Sequence, residues 1–568
     1  MPDYDLLVLG GGTGGYAAAF RAAQLGKRVA LVEESKVGGT CLHWGCIPAK
    51  AMLESGDLLA KIGKAADFGI QITPATGIDT TVVGARRDKI VAKMHAGLKS
   101  LFKKNNVELI AARGTITAPG TVNAALVDEA GQPTGEARTI TATDIVVATG
   151  SSVRSIPGLE TDGKIVVNSD DIVTGALHPK RVIVVGGGAV GCEFASYFRD
   201  LGAETTIVEM LPALVPLEDR DASKELARAF TKRGIAIHVA HRITEGSLVR
   251  SADGVTLNIE PVDGTGTATA LSADLLVVAA GRVPNSGNIG LENTAATVER
   301  GFITVDAQMR TKQEHLYAVG DVIGGLQLAH VAAHEGLIAA HAIAGQPIHE
   351  MNYTKQPRAT YCRPEVASVG ATTQELERDG VPFVAGVMPF AAIAKAHIGG
   401  DSDGFCKVLR HAESGALLGV HMVGPKVTDL IAAHAIAGQP IHAMNYTKQP
   451  RATYCRPEVA SVGATTQELE RDGVPFVAGV MPFAAIAKAH IGGDSDGFCK
   501  VLRHAESGAI LGVHMVGPKV TDLIAEASLA LELGATAEQL GGTTHPHPTL
   551  SEVLGEAALV SLGRSVNF

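Results

Sequence analysis

Two cysteines near the N-terminus are the residues best suited to chemistry. Cys41 and Cys46 lie within the stretch GGTCLHWGCIPAK, residues 38–50, with four residues between them. A disulfide needs its Cα atoms within about 4.4 to 6.8 Å, and a regular helix would turn these residues apart, so an irregular turn is expected, which Gly45 permits. Thiols near a helix N-terminus have lowered pKa values and become nucleophilic. The stretch therefore indicates a redox dithiol. Two ordinary buried cysteines remain the alternative, and a zinc site is less favoured because only His43 is nearby.

A second candidate pair lies near the C-terminus, in the run HPHPTLSE at residues 545–552. His547 and Glu552 can form a base and its orienter, because a carboxylate fixes the tautomer of an imidazole and raises its basicity. Taken alone, such a His is more often a surface residue in a turn. The spacing by itself leaves both interpretations open.

A strand, glycine turn and helix at the N-terminus predict a dinucleotide site. The apolar run YDLLVL, residues 4–9, is followed by Gly10, Gly12 and Gly15 and then by a helical pattern. These glycines permit a tight turn and the approach of a pyrophosphate to the helix N-terminus. The next strand ends on Glu33, where a carboxylate can take ribose hydroxyls.

The same pattern recurs in the middle of the chain. The strand RVIVV, residues 181–185, precedes Gly186, Gly188 and Gly191, and the following strand ends on Glu209. A carboxylate there accepts the ribose hydroxyls of NAD and repels a 2'-phosphate, so NAD is favoured over NADP. Because a nicotinamide and a dithiol exchange electrons poorly without a flavin between them, the first site is expected to hold FAD.

Composition limits the class of protein. The 568 residues suffice for three or four domains, and 66 Gly with 46% hydrophobic residues favour α/β packing. No apolar run of about 18 residues and no basic leader are present, so neither membrane span nor signal peptide is expected, and a cytoplasmic protein is predicted. The dispersed net charge of -10 argues against nucleic-acid binding.

The order of these motifs resembles that of the flavin-dependent pyridine-nucleotide disulfide oxidoreductases, over essentially the whole chain. Further matching segments are ATG at 148–150, Glu193 after the second glycine motif, AGRVPN at 280–285 and YAVGD at 317–321. The His-x-His-Pro-Thr form is more similar to the lipoamide dehydrogenases than to the glutathione reductases. The tail lacks the extra cysteines of mercuric and thioredoxin reductases.

The resemblance implies a role for each matching residue. Cys46 would face the flavin and Cys41 the substrate, and Lys50 would pair with Glu193 beside the flavin ring. His547, oriented by Glu552, would come from the other subunit of a homodimer. The implied set for FAD and NAD comprises Gly10, Gly12, Gly15, Glu33, Lys50, Gly114, Thr149, Gly150, Gly186, Gly188, Gly191, Glu209, Gly281, Arg282 and Asp321, the last on the flavin ribitol; no metal ligand is expected.

A near-identical repeat sets this chain apart. Residues 338–430 recur as 431–523 with two differences, Glu350 against Ala443 and Leu417 against Ile510. Near-identity over a domain indicates recent tandem duplication or an artefact of gene assembly, because solenoid repeats are shorter. Only the second copy leads directly into the His547 motif.

The predicted fold class is α/β, with two Rossmann-like, doubly wound domains and an α+β interface domain that is partly duplicated. The expected divisions are 1–150 and 280–350 for FAD, 151–279 for NAD, 351–430 for an incomplete first interface domain and 431–568 for a complete second one. We expect the second copy to be the working interface domain, with residues 345–437 looped out; docking of the first copy with the second looped out is the alternative.

The resemblance implies oxidation of protein-bound dihydrolipoyl groups with reduction of NAD+ to NADH. The partners it implies are the lipoyl domains and acyltransferase core of a 2-oxoacid dehydrogenase complex. Two alternatives remain: a reductase of another disulfide or of a metal ion, and an FAD- and NADH-binding diaphorase whose dimer site is spoiled by the repeat.

Overall fold

The computed structural model describes residues 1–72, 77–128, 130–348, 350–431 and 449–566. The strands are β1 Tyr4–Leu9, β2 Val29–Glu33, β3 Glu108–Ala118, β4 Thr121–Val127, β5 Pro133–Val147, β6 Ser151–Val153, β7 Val166–Val167, β8 Arg181–Val185, β9 Glu204–Glu209, β10 Ile235–Val239, β11 His241–Ile243, β12 Val249–Ser251, β13 Gly254–Pro261, β14 Thr269–Ala273, β15 Leu275–Val278, β16 Arg282–Pro284, β17 Val298–Glu299, β18 Phe302–Ile303, β19 Leu316–Ala318, β20 Arg358–Thr360, β21 Glu365–Gly370, β22 Phe383–Pro389, β23 Phe405–His411, β24 Leu417–Gly424, β25 Arg451–Thr453, β26 Glu458–Gly463, β27 Phe476–Pro482, β28 Phe498–His504 and β29 Ile510–Gly517. The α-helices are α1 Thr13–Gln24, α2 Gly39–His43, α3 Cys46–Gly63, α4 Thr80–Lys104, α5 Ser169–Thr174, α6 Ala189–Asp200, α7 Arg220–Lys232, α8 Ala329–Ile343, α9 Thr373–Arg378, α10 Ala394–Ile398, α11 Val427–Leu430, α12 Thr466–Arg471, α13 Ala487–Gly492, α14 Val520–Glu532, α15 Ala537–Gly541 and α16 Glu552–Ser561.

The first sheet is built around β1, which pairs in parallel with β2 and β5. Strand β3 extends it beyond β2, β19 extends it beyond β5, and β4 pairs antiparallel with both β3 and β5. Residues Leu6–Leu9 are buried, as a strand covered on both faces requires. The chain leaves this sheet after β5 and returns through β19 and α8, which packs on α1.

The second sheet is also parallel, with the strand order β10-β9-β8-β15-β7. Strand β8 is central and carries the second glycine turn at its carboxyl end. Two parallel sheets that each place a glycine turn after a central strand confirm the prediction of a mixed α/β fold with two dinucleotide-binding domains.

The two repeat copies fold alike. Each forms a five-stranded antiparallel sheet of the same order, β20-β21-β24-β23-β22 in copy 1 and β25-β26-β29-β28-β27 in copy 2. Helices α14 and α16 pack against the copy 2 sheet and share its core. The difference at Ala443, and residues 432–448 as a whole, lie outside the described residues.

The expectation that residues 345–437 are looped out is not met by the described part of that range, and the alternative with copy 2 looped out is not met by the described part of copy 2. Copy 1 is packed on the second parallel sheet's domain, where β20 contacts α6 and Arg220 forms an ion pair with Glu377 at 2.6 Å. Copy 2 is packed through α13 on α3. Both copies are therefore packed, each on a different surface of the same chain.

Among the residues that the structure describes, no helix combines the length and the apolar character needed to cross a bilayer.

Candidate active site

The two cysteines lie on either side of a break between two helices. Cys41 belongs to α2, which ends at His43, and Cys46 is the first residue of α3. Gly45 supplies the non-helical conformation between them, with φ -140° and ψ -109°. The break brings the thiols, both free in this structure, into hydrogen-bond contact.

The site favours a thiolate at Cys46. A hydrogen bond from the Cys41 thiol lowers the pKa of Cys46 to about 6, against the effect of burial, and the positive charges of Lys50 and His547 act in the same direction. The same hydrogen bond and burial raise the pKa of Cys41. The arrangement is therefore a thiol that donates to a thiolate, the polarised state that thiol-disulfide exchange uses.

Lys50 and Glu193 form a nearly buried ion pair beside Cys46. The Lys50 ammonium donates to both carboxylate oxygens of Glu193, at 3.0 and 2.8 Å. Glu193 also accepts the backbone N–H of Tyr361 at 2.9 Å, and the Tyr361 ring lies 4.8 Å from the Lys50 nitrogen. Lys50 is thus held by α6 and by copy 1 together.

His547 and Glu552 are joined as the sequence suggests. The carboxylate of Glu552 bonds to Nδ1 of His547 at 2.9 Å and accepts the backbone N–H of Thr549 at 2.8 Å. Burial works to lower the pKa of His547, but the charge of Glu552, the hydrogen bond with Glu552 and the charge of Cys46 together outweigh it, and the pKa rises to about 9. This bond leaves Nε2 of His547 as the nitrogen that can exchange a proton with a substrate.

The dithiol lies between two cavities. His547, Glu552 and His330 line one of them, and Lys50, Arg282 and Asp321 line the other. Cys41 lines both, whereas Cys46 lines the second. Electrons can therefore enter from one side of the sulfur pair and leave on the other.

The first glycine turn fits a bound dinucleotide. Gly10 has φ +103°, and a Cβ on it would lie 2.3 Å from the Ala148 carbonyl oxygen. A Cβ on Gly15 would lie 1.9 Å from the Gly10 oxygen, whereas nothing stands within 4 Å of one on Gly12. The glycine turn is thus closely packed against neighbouring backbone at Gly10 and Gly15, and there is free space beside Gly12 at the N-terminus of α1, where a pyrophosphate binds.

The second glycine turn repeats this geometry. A Cβ on Gly191 would lie 1.8 Å from the Gly186 oxygen, and the space beside Gly188 is open. Glu209 accepts the N–H of Gly187 at 2.5 Å, and Glu33 accepts that of Gly11 at 2.6 Å. Each acid therefore stands at the carboxyl end of its strand, beside its glycine turn.

Several of the other expected cofactor residues meet around Asp321. Its carboxylate accepts from the Ser151 hydroxyl at 2.5 Å and lies 3.9 Å from Arg282. The buried Nε2 of Gln327 faces this cavity and has no hydrogen-bond partner among the described residues, which suits a ligand that accepts a hydrogen bond. Gly150 lines the same cavity, the hydroxyl of the preceding Thr149 donates to the Asn285 carbonyl at 2.7 Å, and Gly281 precedes Arg282 in the chain.

One expected cofactor residue lies elsewhere. Gly114 is in β3, where a Cβ would lie 2.8 Å from the Leu9 side chain, so its visible effect is on packing.

Sequence reasoning missed three residues that hold the site together. The Tyr361 hydroxyl donates to the Pro548 carbonyl at 3.0 Å, and Asp429 accepts the N–H of Leu550 at 2.9 Å, so both fix the loop that bears His547. Glu526 bonds to His545 at 2.8 Å. The second His of the 545–547 motif was a signal for a further acid, but Tyr361 and Asp429 also occur in copy 2, and no local pattern separates the copies.

Comparisons with known proteins agree with this geometry. The family model described as pyridine nucleotide-disulphide oxidoreductase matches residues 4–336, and the model of its dimerisation domain matches twice, at 356–441 and 449–558. The chain is 36% identical to dihydrolipoyl dehydrogenase of Bacillus subtilis, covering 100% of this chain and 99% of the relative. It is 42% identical to that of Zymomonas mobilis, over 76% of this chain and 91% of the relative.

Solved structures share the fold. LpdA from Mycobacterium tuberculosis superposes with a TM-score of 0.65 at 24% identity, covering 97% of this chain and 98% of that one. The flavoprotein disulfide reductase RclA from Escherichia coli has a TM-score of 0.64 at 24% identity, over 75% and 90% of the two chains. The chain is an FAD-dependent oxidoreductase that uses NAD(H), and it belongs to the pyridine nucleotide-disulphide oxidoreductase family.

Proposed function

We propose that this chain oxidises dihydrolipoyl groups to lipoyl disulfides and delivers the two electrons to NAD+. The observation that carries the proposal is the position of Cys41 between a cavity that holds the His547–Glu552 pair and a cavity bordered by the first glycine turn. The two dihydrolipoyl dehydrogenases at 36% and 42% identity support the choice of substrate.

The cysteine pair and His547 divide the first half of the reaction. With Cys41 and Cys46 joined as a disulfide, neutral His547 takes the proton of one substrate thiol, and the resulting thiolate attacks the Cys41 sulfur. Cys46 leaves as a thiolate, which the nearby Lys50 charge stabilises. The second substrate thiol then attacks the substrate sulfur of the mixed disulfide, and its proton passes to the departing Cys41 sulfur while the first proton stays on His547. Cys41 is released as a thiol, and two electrons have passed to the cysteine pair.

The remaining residues hold the cofactor. FAD, when bound, supplies the two-electron carrier that connects the dithiol to NAD+. The turn Gly10–Gly15 and Asp321 would hold the flavin nucleotide, and the turn Gly186–Gly191 with Glu209 would hold NAD. The Lys50–Glu193 pair keeps a positive charge beside Cys46 without leaving that charge unpaired in a buried place.

The partners belong to the proposal. A dihydrolipoyl group carried on a lipoyl domain, within a 2-oxoacid dehydrogenase complex and its acyltransferase core, is the substrate that such chemistry serves. The dimerisation-domain matches support pairing of two chains as a homodimer. The near-identity of the two copies supports an origin by tandem duplication.

An assay of purified, flavin-loaded protein with dihydrolipoamide and NAD+ tests the proposal through the absorbance of NADH. Activity is expected in the wild-type protein and in Cys406→Ser, a control outside the site, and is expected to be lost in Cys41→Ser. Reduction of dyes by NADH without dihydrolipoamide oxidation would replace the proposal by a diaphorase. Turnover only with other disulfides or metal ions would replace it by a reductase.

A further inference from the structure

We propose that each chain completes its dithiol site with its own His547, so that copy 2 and the C-terminal helices act, within one chain, where a second subunit was expected to act. The inference rests on the proposed function for its assay but not for its geometry. It is carried by the different surfaces that two almost identical copies bury, and by the contacts that fix each copy to the same chain.

Equivalent residues of the two copies are buried to different extents. Tyr361 in copy 1 is buried, whereas its counterpart Tyr454 is 69% exposed. The order reverses in β27 and α13, where Met481 and Ile491 of copy 2 are fully buried, while the equivalent Met388 and Ile398 of copy 1 are 52% and 74% exposed. Because the sequences are almost the same, the difference comes only from what each copy packs against.

Copy 1 is fixed to the NAD-binding part of its own chain. Lys407 is buried and donates to Asp219 at 2.9 Å and to Asp221 at 2.6 Å, while Thr373 also bonds to Asp219. The counterpart Lys500 of copy 2 bonds to the Thr466 hydroxyl at 2.8 Å. Copy 1 therefore occupies the docking place that the sheet of copy 2 would otherwise use.

Copy 2 is fixed to the helices that carry the cysteines. Lys488 lies 3.8 Å from Glu54 of α3 and 5.2 Å from the centre of the Tyr361 ring. The Arg86 guanidinium of α4 donates to the Ile491 carbonyl, and Ile491 shares one hydrophobic core with Ile47, which adjoins Cys46. The surface of copy 2 that meets this part of the chain thus includes Ile491, whose equivalent in copy 1, Ile398, is exposed.

Copy 1 also holds the loop that delivers His547. Its Tyr361 and Asp429 bond to Pro548 and to Leu550, at 3.0 and 2.9 Å. The corresponding Tyr454 is exposed, and the counterpart of Asp429 in copy 2, Asp522, lies 3.8 Å from Lys395 instead. The site accordingly needs both copies, in two different roles, and one chain contains them both.

Covalent connection favours this arrangement over exchange between chains. Two parts joined in one chain meet at an effective concentration on the order of millimolar when the connection spans the distance between their sites. A second chain at micromolar concentration would then have to bind about 10³-fold more tightly to displace the chain's own copy 2. Pairing of two chains through other surfaces is compatible with this inference.

Co-expression of Cys41→Ser and His547→Gln chains with different affinity tags tests it. If His547 acts within its own chain, every site lacks one of the two residues, and the mixture is expected to be as inactive as each variant alone. If His547 crosses between chains, random pairing gives about one intact site in four, and that fraction of wild-type activity would overturn the inference. Wild-type protein is assayed in parallel to separate the two proposals. An inactive wild type would contradict the proposed function, whereas an active wild type makes the result for the mixture a test of where His547 acts.

A cross-link provides a readout that does not depend on activity or on the folding of variants. A carbodiimide can join Glu54 to Lys488 in the wild-type protein, with Lys488→Arg as the control that removes the reactive amine. The linked peptide is expected in the monomer band of a denaturing gel. Its presence only in a covalent dimer band would overturn the inference.

Discussion

At the scale of single residues, the site pairs each cation with its own carboxylate. Lys50 is neutralised by Glu193 and His547 by Glu552, and both cations lower the pKa of Cys46. The Cys46 thiolate is therefore stabilised by two cations, each of which is also paired with a carboxylate. A substitution of one of these carboxylates or cations should therefore change the pKa of a neighbouring group more than it changes the fold.

Glu552→Gln tests the role of the carboxylate beside His547. Against burial, the charge and hydrogen bond of Glu552, with the charge of Cys46, raise the pKa of His547 to about 9, so removal of the Glu552 charge should lower that pKa. Since the neutral form of His547 is the base, the rise of activity with pH should move to lower pH, and the plateau should fall by about 10- to 10²-fold as the base weakens. The pH profile of dihydrolipoamide oxidation measures both effects. An unshifted profile, equal to that of the exposed control Glu538→Gln, would contradict this role.

Lys50→Met tests the charge beside Cys46. The ammonium lowers the pKa of Cys46, so its loss should raise that pKa by on the order of one to three pH units. Alkylation of Cys46 followed by mass spectrometry against pH reports the change, without any need for turnover. Lys61→Met alters an exposed lysine on the same helix and should leave the profile unchanged. A Cys46 profile equal in both variants would argue against the contribution of Lys50.

At the scale of helices and strands, local patterns predict what local geometry dictates. The glycine turns after β1 and β8 follow from strand, glycine spacing and helix, because a Cβ at Gly15 or Gly191 would meet backbone oxygen below 2 Å whatever the rest of the chain does. The break at Gly45 was predictable from the spacing of Cys41 and Cys46, because a regular helix would turn the two residues apart. The fates of Met388 and Met481 were not, because identical local sequence carries no information about which neighbour covers it.

Methionine substitutions in the two copies should therefore differ in cost. Met481→Ala opens a cavity in a fully buried place and should destabilise the protein by about 2 to 5 kcal/mol. Met388→Ala, at the equivalent exposed position, should stay within about 0.5 kcal/mol of the wild type. Denaturant titration of the two variants side by side measures this difference, and equal losses would mean that the copies are covered alike.

Substitutions of the equivalent lysines, Lys407 in copy 1 and Lys500 in copy 2, should show the opposite order, with the larger loss of stability in copy 1. Lys407→Met leaves Asp219 buried without its cation and should cost about 3 to 5 kcal/mol, whereas Lys500→Met removes a bond to a threonine hydroxyl and should cost far less. The methionine and lysine pairs together distinguish separate roles of the two copies from a general difference in their stability. A larger loss of stability in Lys500→Met than in Lys407→Met would indicate that copy 2, and not copy 1, is fixed to the NAD-binding part of the chain.

At the scale of the whole molecule, removal of one copy should restore dependence on a second chain. Joining Leu337 to Ile431 deletes residues 338–430 and keeps the sequence of α8 unchanged, because residues 431–436 repeat the sequence IAAHAI of residues 338–343. The remaining sheet can then use the docking place that Lys407 and Tyr361 now occupy. The C-terminal helices would move with that sheet, since they share its core, and would carry His547 away from the Cys41 of the same chain.

A second shortened chain would have to supply the missing His547. We therefore expect the shortened protein to be a homodimer by gel filtration, and its dihydrolipoamide activity to fall on dilution as dimers dissociate, since assembly follows mass action. Shortened Cys41→Ser and His547→Gln chains, co-expressed, should recover about one active site in four, unlike the full-length pair. A shortened chain that stays monomeric and fully active would show that one copy suffices to complete the site, and would remove the reason for assigning the two copies different roles.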